Sequence, residues 1–291
     1  MKINSFARCT INLLTLVLLA AVTGPPAPAQ SEVRFQLVHD ALIIVPVTAA
    51  NEGPLYFLLD TGADTTIVDT ALAKRLSLVP LQSAKQTTVA GSQTVNVSVL
   101  ASLAVGSAQL ESLPVLEEDL SSLRRLDRRI DGIVGQNFLS HFNYLLDYHQ
   151  RTLRIEQASE ILDAIDGDQV PEVRMTIAAK AQLRGDGGLR LQLDSGANGL
   201  VLMGRAASAL YFPRAQPVVE TSATGATVLI TSHIERLTVA SQEFHDLPVT
   251  LAANAPQGRI EDGLLPTSLF ATLYVNNRQG FVMFNPQPKK R

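Results

Sequence analysis

Short apolar runs punctuated by Gly, Pro, Asn and Asp mark this chain as one of strands joined by turns. Arg34-Phe35-Gln36-Leu37-Val38 and Ala41-Leu42-Ile43-Ile44-Val45-Pro46-Val47 read as strands broken by His39-Asp40. Asn51-Glu52-Gly53-Pro54 supplies the next turn, and Leu55 to Leu59 carries an apolar strand into Asp60. Helical signals are few. Asp69 can cap a short helix over Ala71 to Leu76, because its carboxylate can accept from the first-turn amides. Leu120, Leu123, Leu126 and Ile130 recur at helical spacing, with Arg124, Arg125, Arg128 and Arg129 on the expected wet face. A third short helix is expected at Ser159 to Ile165.

Sliding the chain over itself brings out a repeat. At an offset of 134 residues Asp60 falls on Asp194, Gly62 on Gly196, Gly91 on Gly225, Leu103 on Leu237, and Leu113-Pro114-Val115 on Leu247-Pro248-Val249. After a three-residue slip, Asp131-Gly132-Ile133-Val134 falls on Asp262-Gly263-Leu264-Leu265. This register predicts an internal duplication. Residues 30–155 are the expected first lobe and 173–291 the second. Between them, residues 156–172 hold six acidic and no basic side chains and read as a linker.

Composition narrows the function classes. With 46% hydrophobic and 18% charged residues, 291 residues suit one large or two modest globular domains. A net charge of -3 without an extended basic surface gives no expectation of nucleic acid as a partner. Residues 1–29 carry Lys2 and Arg8, an apolar run from Leu13 to Val22, and Ala27-Pro28-Ala29, the layout of a cleavable export signal. The apolar run is short for a membrane span, so the expectation is a periplasmic or secreted protein with no stable span after cleavage; an uncleaved anchor is the alternative. The only cysteine, Cys9, lies in that signal, which leaves the mature chain without disulfides or thiol chemistry.

The chemistry concentrates in two stretches. Phe57-Leu58-Leu59-Asp60-Thr61-Gly62-Ala63-Asp64 and Leu191-Gln192-Leu193-Asp194-Ser195-Gly196-Ala197-Asn198 each place an aspartate, a hydroxyl residue and a glycine after an apolar strand. Both resemble the active-site turn of aspartic proteases, and the first is especially similar to the retropepsin version. The resemblance covers about residues 33 to 285 and is nearest to the exported bacterial retropepsin-like aspartyl proteases. It implies a mainly β fold of two pseudo-symmetric closed β-barrel lobes in a pepsin-like arrangement, with a few short helices. It further implies that Asp60 and Asp194 are catalytic and that Thr61, Gly62, Ser195 and Gly196 support their turns. Ala63, Asp64, Ala197 and Asn198 become substrate-binding positions, as do the flap-tip residues Ala90, Gly91, Thr224 and Gly225. Gly91 and Gly225 each follow their aspartate by 31 residues.

Peptide hydrolysis by water needs one group to take a proton while another gives one, and two carboxyls sharing a proton can do both. Such a pair titrates as a unit. Ala63 and Ala197 stand where pepsin-like enzymes have a serine whose hydroxyl favours the ionised form, so a mildly acidic optimum is expected. Three departures from the retropepsin pattern stand out: Gln136-Asn137 where an arginine precedes Asn or Asp, Pro266 in place of a glycine, and Asn198 opposite Asp64.

Other chemistries find little. The five histidines lack close ligand spacing, there is no EF-hand register, and neither a Gly-x-Ser-x-Gly elbow nor a phosphate-cradling loop occurs. No metal or cofactor is expected. Ser195 matches Thr61 and so reads as a structural hydroxyl, and Arg184-Gly185-Asp186-Gly187-Gly188 as a hairpin turn. The leading expectation is an aspartic endopeptidase acting on peptides or proteins, a monomer with an intrachain dyad. A non-catalytic peptide- or envelope-ligand-binding protein using the same inter-lobe cleft is the alternative, and a homodimer pairing equivalent lobes is a third arrangement.

Overall fold

A computed structural model of the chain describes residues 31–289 apart from 89–90, 157–158, 184, 209–215, 223–224, 253–254 and 256–257. The expected export signal, Ala90 and Thr224 therefore lie outside the described residues. The described chain is mainly β.

The first half supplies β1 (Ser31–Arg34), β2 (Gln36–Val38), β3 (Leu42–Ala49), β4 (Glu52–Leu59), β5 (Ile67–Asp69), α1 (Thr70–Arg75), β6 (Gln82–Thr88), β7 (Gly91–Val105), β8 (Ala108–Glu118) and β9 (Ile130–Val134). Their pairings run β3-β4-β9-β5-β8-β7, and β7 returns to β3 at Thr48↔Ala104 and Ala49↔Leu103, closing a six-stranded barrel. Within it β9 lies between β4, to which it is parallel, and β5, to which it is antiparallel. The chain must leave β4 and cross to β5 around the end of β9. The Asp60 turn is that crossing, and Asp60 N donates to Val134 O at the end of β9.

The expected strand over 34–38 is divided in two. β1 pairs with a distant strand (Thr152–Glu156) and β2 with β3, because Phe35 turns inward, buried, and its amide donates to Arg151 O. The turn expected at 51–54 sits earlier: Ala50 and Asn51 both have positive φ, as a two-residue hairpin turn of the primed type requires, and Glu52-Gly53-Pro54 is already strand. The helix expected over 120–130 is a single 3-10 turn at Leu123–Arg125, and Ile130 opens β9. Apolar spacing failed there because Leu120, Leu123 and Ile130 bury into a cluster with Leu58, Ile67 and Ile133 without needing a helix. The arginines are not all on a wet face. Arg124 pairs with buried Asp69, and Arg129 lies over the Tyr56 ring at 5.1 Å.

α2 (Gln136–Leu139), β10 (Asn143–Asp147), β11 (Thr152–Glu156), α3 (Glu160–Ala164), β12 (Ile165–Asp166) and β13 (Val170–Pro171) follow. Then come β14 (Thr176–Leu183), β15 (Gly185–Asp194), β16 (Leu200–Met203), α4 (Gly204–Ser208), β17 (Gln216–Ser222), β18 (Gly225–Val239), β19 (Gln242–Ala252) and β20 (Gly263–Pro266). Their sheet runs β14-β15-β20-β16-β19-β18-β17, with β14 also meeting β18 at Lys180 and Ala181. Here β20 lies between β15 and β16, as β9 does between β4 and β5. The chain ends with β21 (Thr272–Asn276), β22 (Phe281–Phe284) and β23 (Gln287–Pro288).

A third sheet, in the order β1-β11-β10-β21-β22-β13, joins strands from both ends of the chain. One buried cluster runs without interruption from Val45 and Phe57 through Tyr144 and Leu146 to Leu191, Leu265 and Val275. Among the described residues no helix is long and apolar enough to cross a membrane.

Candidate active site

Each acidic turn is held by the other. Thr61 N donates to Ser195 Oγ at 3.0 Å, and Ser195 N donates to Thr61 Oγ1 at 3.0 Å. The hydroxyls pass these bonds on: Thr61 Oγ1 donates to Leu193 O at 2.8 Å and Ser195 Oγ to Leu59 O at 2.7 Å. Both residues are essentially fully buried. A buried hydroxyl and amide would each carry a desolvation penalty if unpaired, so this four-bond ring fixes the two turns against one another.

The glycines explain why the carboxyls can meet. A Cβ built on Gly62 would lie 2.5 Å from Asp194 Cγ, and one on Gly196 would lie 2.5 Å from Asp60 Cγ. Each turn thus packs its backbone against the opposite carboxyl, at a separation no side chain tolerates. Asp60 Oδ1 accepts from Gly62 N at 2.8 Å and Ala63 N at 3.0 Å, while Asp194 Oδ1 accepts from Gly196 N at 2.8 Å. Asp194 is nearly enclosed, whereas Asp60 keeps part of its surface open.

Burial, then the negative charge of Asp194 and the hydrogen bond to it, hold the Asp60 carboxyl well above its ordinary range, against the pull of the Gly62 and Ala63 amides. Burial raises Asp194 too, opposed by the hydrogen bond from Asp60, the Gly196 amide and the charge of Arg259. Both shifts run in the direction that burial and a close neighbouring carboxyl impose.

Of the remaining sequence-derived positions, Ala63 and Ala197 are partly buried beside the carboxyls, and Asp64 and Asn198 are exposed. Gly91 and Gly225 open the return strands of two hairpins, paired with Thr88 and Ser222. The departures from the family pattern have local accommodations. Gln136 Nε2 donates to Thr61 O at 2.9 Å, so an amide contacts the turn where retroviral enzymes have arginine. Asn137 Oδ1 accepts from Thr66 N and Thr66 Oγ1, both at 2.8 Å. Pro266 closes the β20 ladder opposite Asp194 without breaking it.

Three side chains escaped the sequence reading. Gln192, buried, donates from Nε2 to Gly62 O at 3.3 Å, and its Oε1 has no partner among the described residues. Its signal was a polar residue at the position matching Leu58. Arg259, whose charge reaches Asp194, has a buried Nη1 with no partner among the described residues. Tyr148, whose hydroxyl lies 2.5 Å from Thr267 Oγ1, is pushed up by burial, against the Thr267 hydrogen bond and with a contribution from the charge of Asp194. No close motif marks either residue. Among the described residues, no group of three or more His, Cys, Asp or Glu side chains is placed to hold a metal.

Residues 45–138 match the family model of aspartyl proteases. That match holds the first acidic turn, the β6–β7 hairpin and Gly132 to Asn137; Asp194 lies outside it. Among curated proteins, none matches the chain.

Proposed function

We propose that this chain is an aspartic endopeptidase whose single catalytic dyad is Asp60 and Asp194. The observation that carries the proposal is reciprocal: each glycine of one turn lies against the carboxyl of the other. This close approach, with both carboxyls raised by burial, supports one shared proton that titrates with the pair as a unit. In the reaction, the ionised carboxylate of the pair takes a proton from water as the water oxygen attacks the scissile carbonyl carbon, and the protonated carboxyl gives its proton to the carbonyl oxygen. Collapse of the tetrahedral diol breaks the C–N bond: the carboxyl that took the water proton passes it to the leaving nitrogen, and a diol hydroxyl gives its proton to the other carboxylate as the carbonyl reforms. The shared proton is restored, and no covalent enzyme intermediate forms. The Thr61–Ser195 ring holds both carboxyls in place through the cycle.

The matching strand orders of the two large sheets support a duplicated plan, in which the three-residue slip falls between the end of β8 or β19 and the strand that follows. Residues 30–155 and 173–291 are then the two lobes, with the hairpins at Gly91 and Gly225 covering substrate. Because one chain supplies both aspartates, a monomer suffices. The N-terminal layout supports export to the periplasm or beyond.

The test uses a peptide in which a hydroxymethylene group replaces the scissile amide, mimicking the tetrahedral diol. Calorimetry should find it bound at least about tenfold more tightly by the wild type than by Asp60→Asn or Asp194→Asn. Equal binding by all three would place the carboxyls away from the scissile position and favour a protein that only holds peptides.

A further inference from the structure

Among the described residues, a buried carboxylate ties the outer part of the β6–β7 hairpin to β8. Glu118, the last residue of β8, is 4% exposed. Its Oε2 accepts from Gln86 Nε2 at 3.1 Å, and its Oε1 accepts from Gln93 Nε2. Gln93 Nε2 also reaches Gln86 Oε1 at 3.0 Å, which closes a triangle. Gln86 and Gln93 face each other across the hairpin, two pairs below its last described pair, Thr88↔Gly91.

The placement gives the triangle its significance. Glu118 pairs with Asp69 in the parallel β5–β8 ladder, and β5 is the strand entered from the Asp60 turn. One carboxylate therefore ties the outer part of the hairpin to the end of β8, whose backbone pairs with the strand that follows the acidic turn. Burying a carboxylate against neutral amides is costly, and an apolar residue would pack there more cheaply. In the second half, Met203↔Ala252 is the ladder pair that matches Asp69↔Glu118, and Ala252 has no carboxylate to offer. The matching position of the second half therefore offers no such tether.

We propose that Glu118 is a positioning residue that fixes the β6–β7 hairpin relative to the Asp60 turn, so that substrate meets the hairpin already in place. The inference rests on the peptidase reading for its kinetic consequence, though not for the tether itself. It assigns unequal tasks to the two hairpins: the first is anchored by a side chain, and the second has no such anchor at the matching position.

Hydrogen exchange followed by mass spectrometry on the full chain tests it, with Glu118→Ala and, leaving β8 untouched, the double variant Gln86→Ala/Gln93→Ala. Both should accelerate exchange in residues 82–97 by about tenfold, with little change in 130–134 and 191–194. Glu118→Gln, which retains one acceptor, should fall between them and the wild type. Peptide cleavage should show KM raised about threefold or more with kcat within about twofold, because ordering the hairpin then falls on substrate binding. Unchanged exchange in the hairpin would overturn the proposal, as would loosening spread evenly over the barrel or faster hairpin exchange with an unchanged KM. A wild type that cleaves nothing would count against the peptidase, while the exchange data would still decide whether the tether exists.

Discussion

The residues of the two turns explain how a protein can hold two carboxyls at one point. A lone buried carboxylate would be expelled or protonated, and here backbone amides, the raised Asp60 carboxyl and the Thr61–Ser195 ring make the arrangement tolerable. It still has a pH-dependent cost. Because folded Asp60 keeps its proton above the ordinary carboxyl value of 3.8, the folded state binds more protons than the unfolded state between that value and the raised one. The stability this group contributes is complete below the unfolded value and is lost as pH rises through the folded one. Asp60→Asn cannot ionise and keeps an acceptor for Gly62 N and Ala63 N. Its Tm should therefore exceed the wild-type Tm at pH 7, and the difference should shrink as the pH is lowered toward about 4. A variant less stable than wild type at neutral pH would show that the carboxyl is not under this strain.

Among the elements, the strands were largely legible and the exceptions have physical causes. Apolar runs bounded by turn residues marked β3, β4 and the strand before Asp194, and Asp69 caps α1 by accepting from Ala71 N at 2.9 Å. The stretch over 120–130 misled because i, i+3 spacing also suits an irregular segment lying on the face of a sheet. The aspartates, hydroxyls and glycines of the site could be read because each is a rare combination at a strand end. Gln192, Glu118 and Arg259 could not, since their roles arise from partners far away in sequence. Glu156 is a further case. The acidic stretch 156–172 reads as a linker, yet Glu156 is buried, its Oε1 accepting from Tyr274 Oη at 2.6 Å and its Oε2 from Ile161 N at 2.5 Å in the first turn of α3. Glu156→Ala should cost about 1–3 kcal/mol for each buried donor it strands, and Glu156→Gln, which keeps one acceptor, less. Urea midpoints at unchanged slope would measure both.

At the scale of the whole molecule, the meeting of Asp60 and Asp194 depends on how the two halves are joined. The sheet β1-β11-β10-β21-β22-β13 takes strands from both, and the buried cluster passes through it unbroken. Residues between the halves take part as well, since β13 pairs with β22 at Val170↔Val282 and Pro171↔Phe281. The buried core is thus continuous between the halves. Calorimetric unfolding of the chain from Gln30 should accordingly show one transition whose van't Hoff and calorimetric enthalpies agree. Two resolved transitions would mean that the halves fold as separate units, and that the turns are brought together more weakly than the shared core suggests.

The most direct measurement is cleavage of an unbiased peptide library by the chain from Gln30, across mildly acid to neutral pH, beside Asp60→Asn, Asp194→Asn and an equimolar mixture of the two. The wild type should cut, with its maximum above about pH 3, and each variant should fall at least about a hundredfold. The mixture should recover nothing, because both carboxyls of a working dyad come from one chain. Full activity in either single variant, recovery on mixing, or a folded wild type that cuts no peptide would contradict an intrachain aspartic dyad.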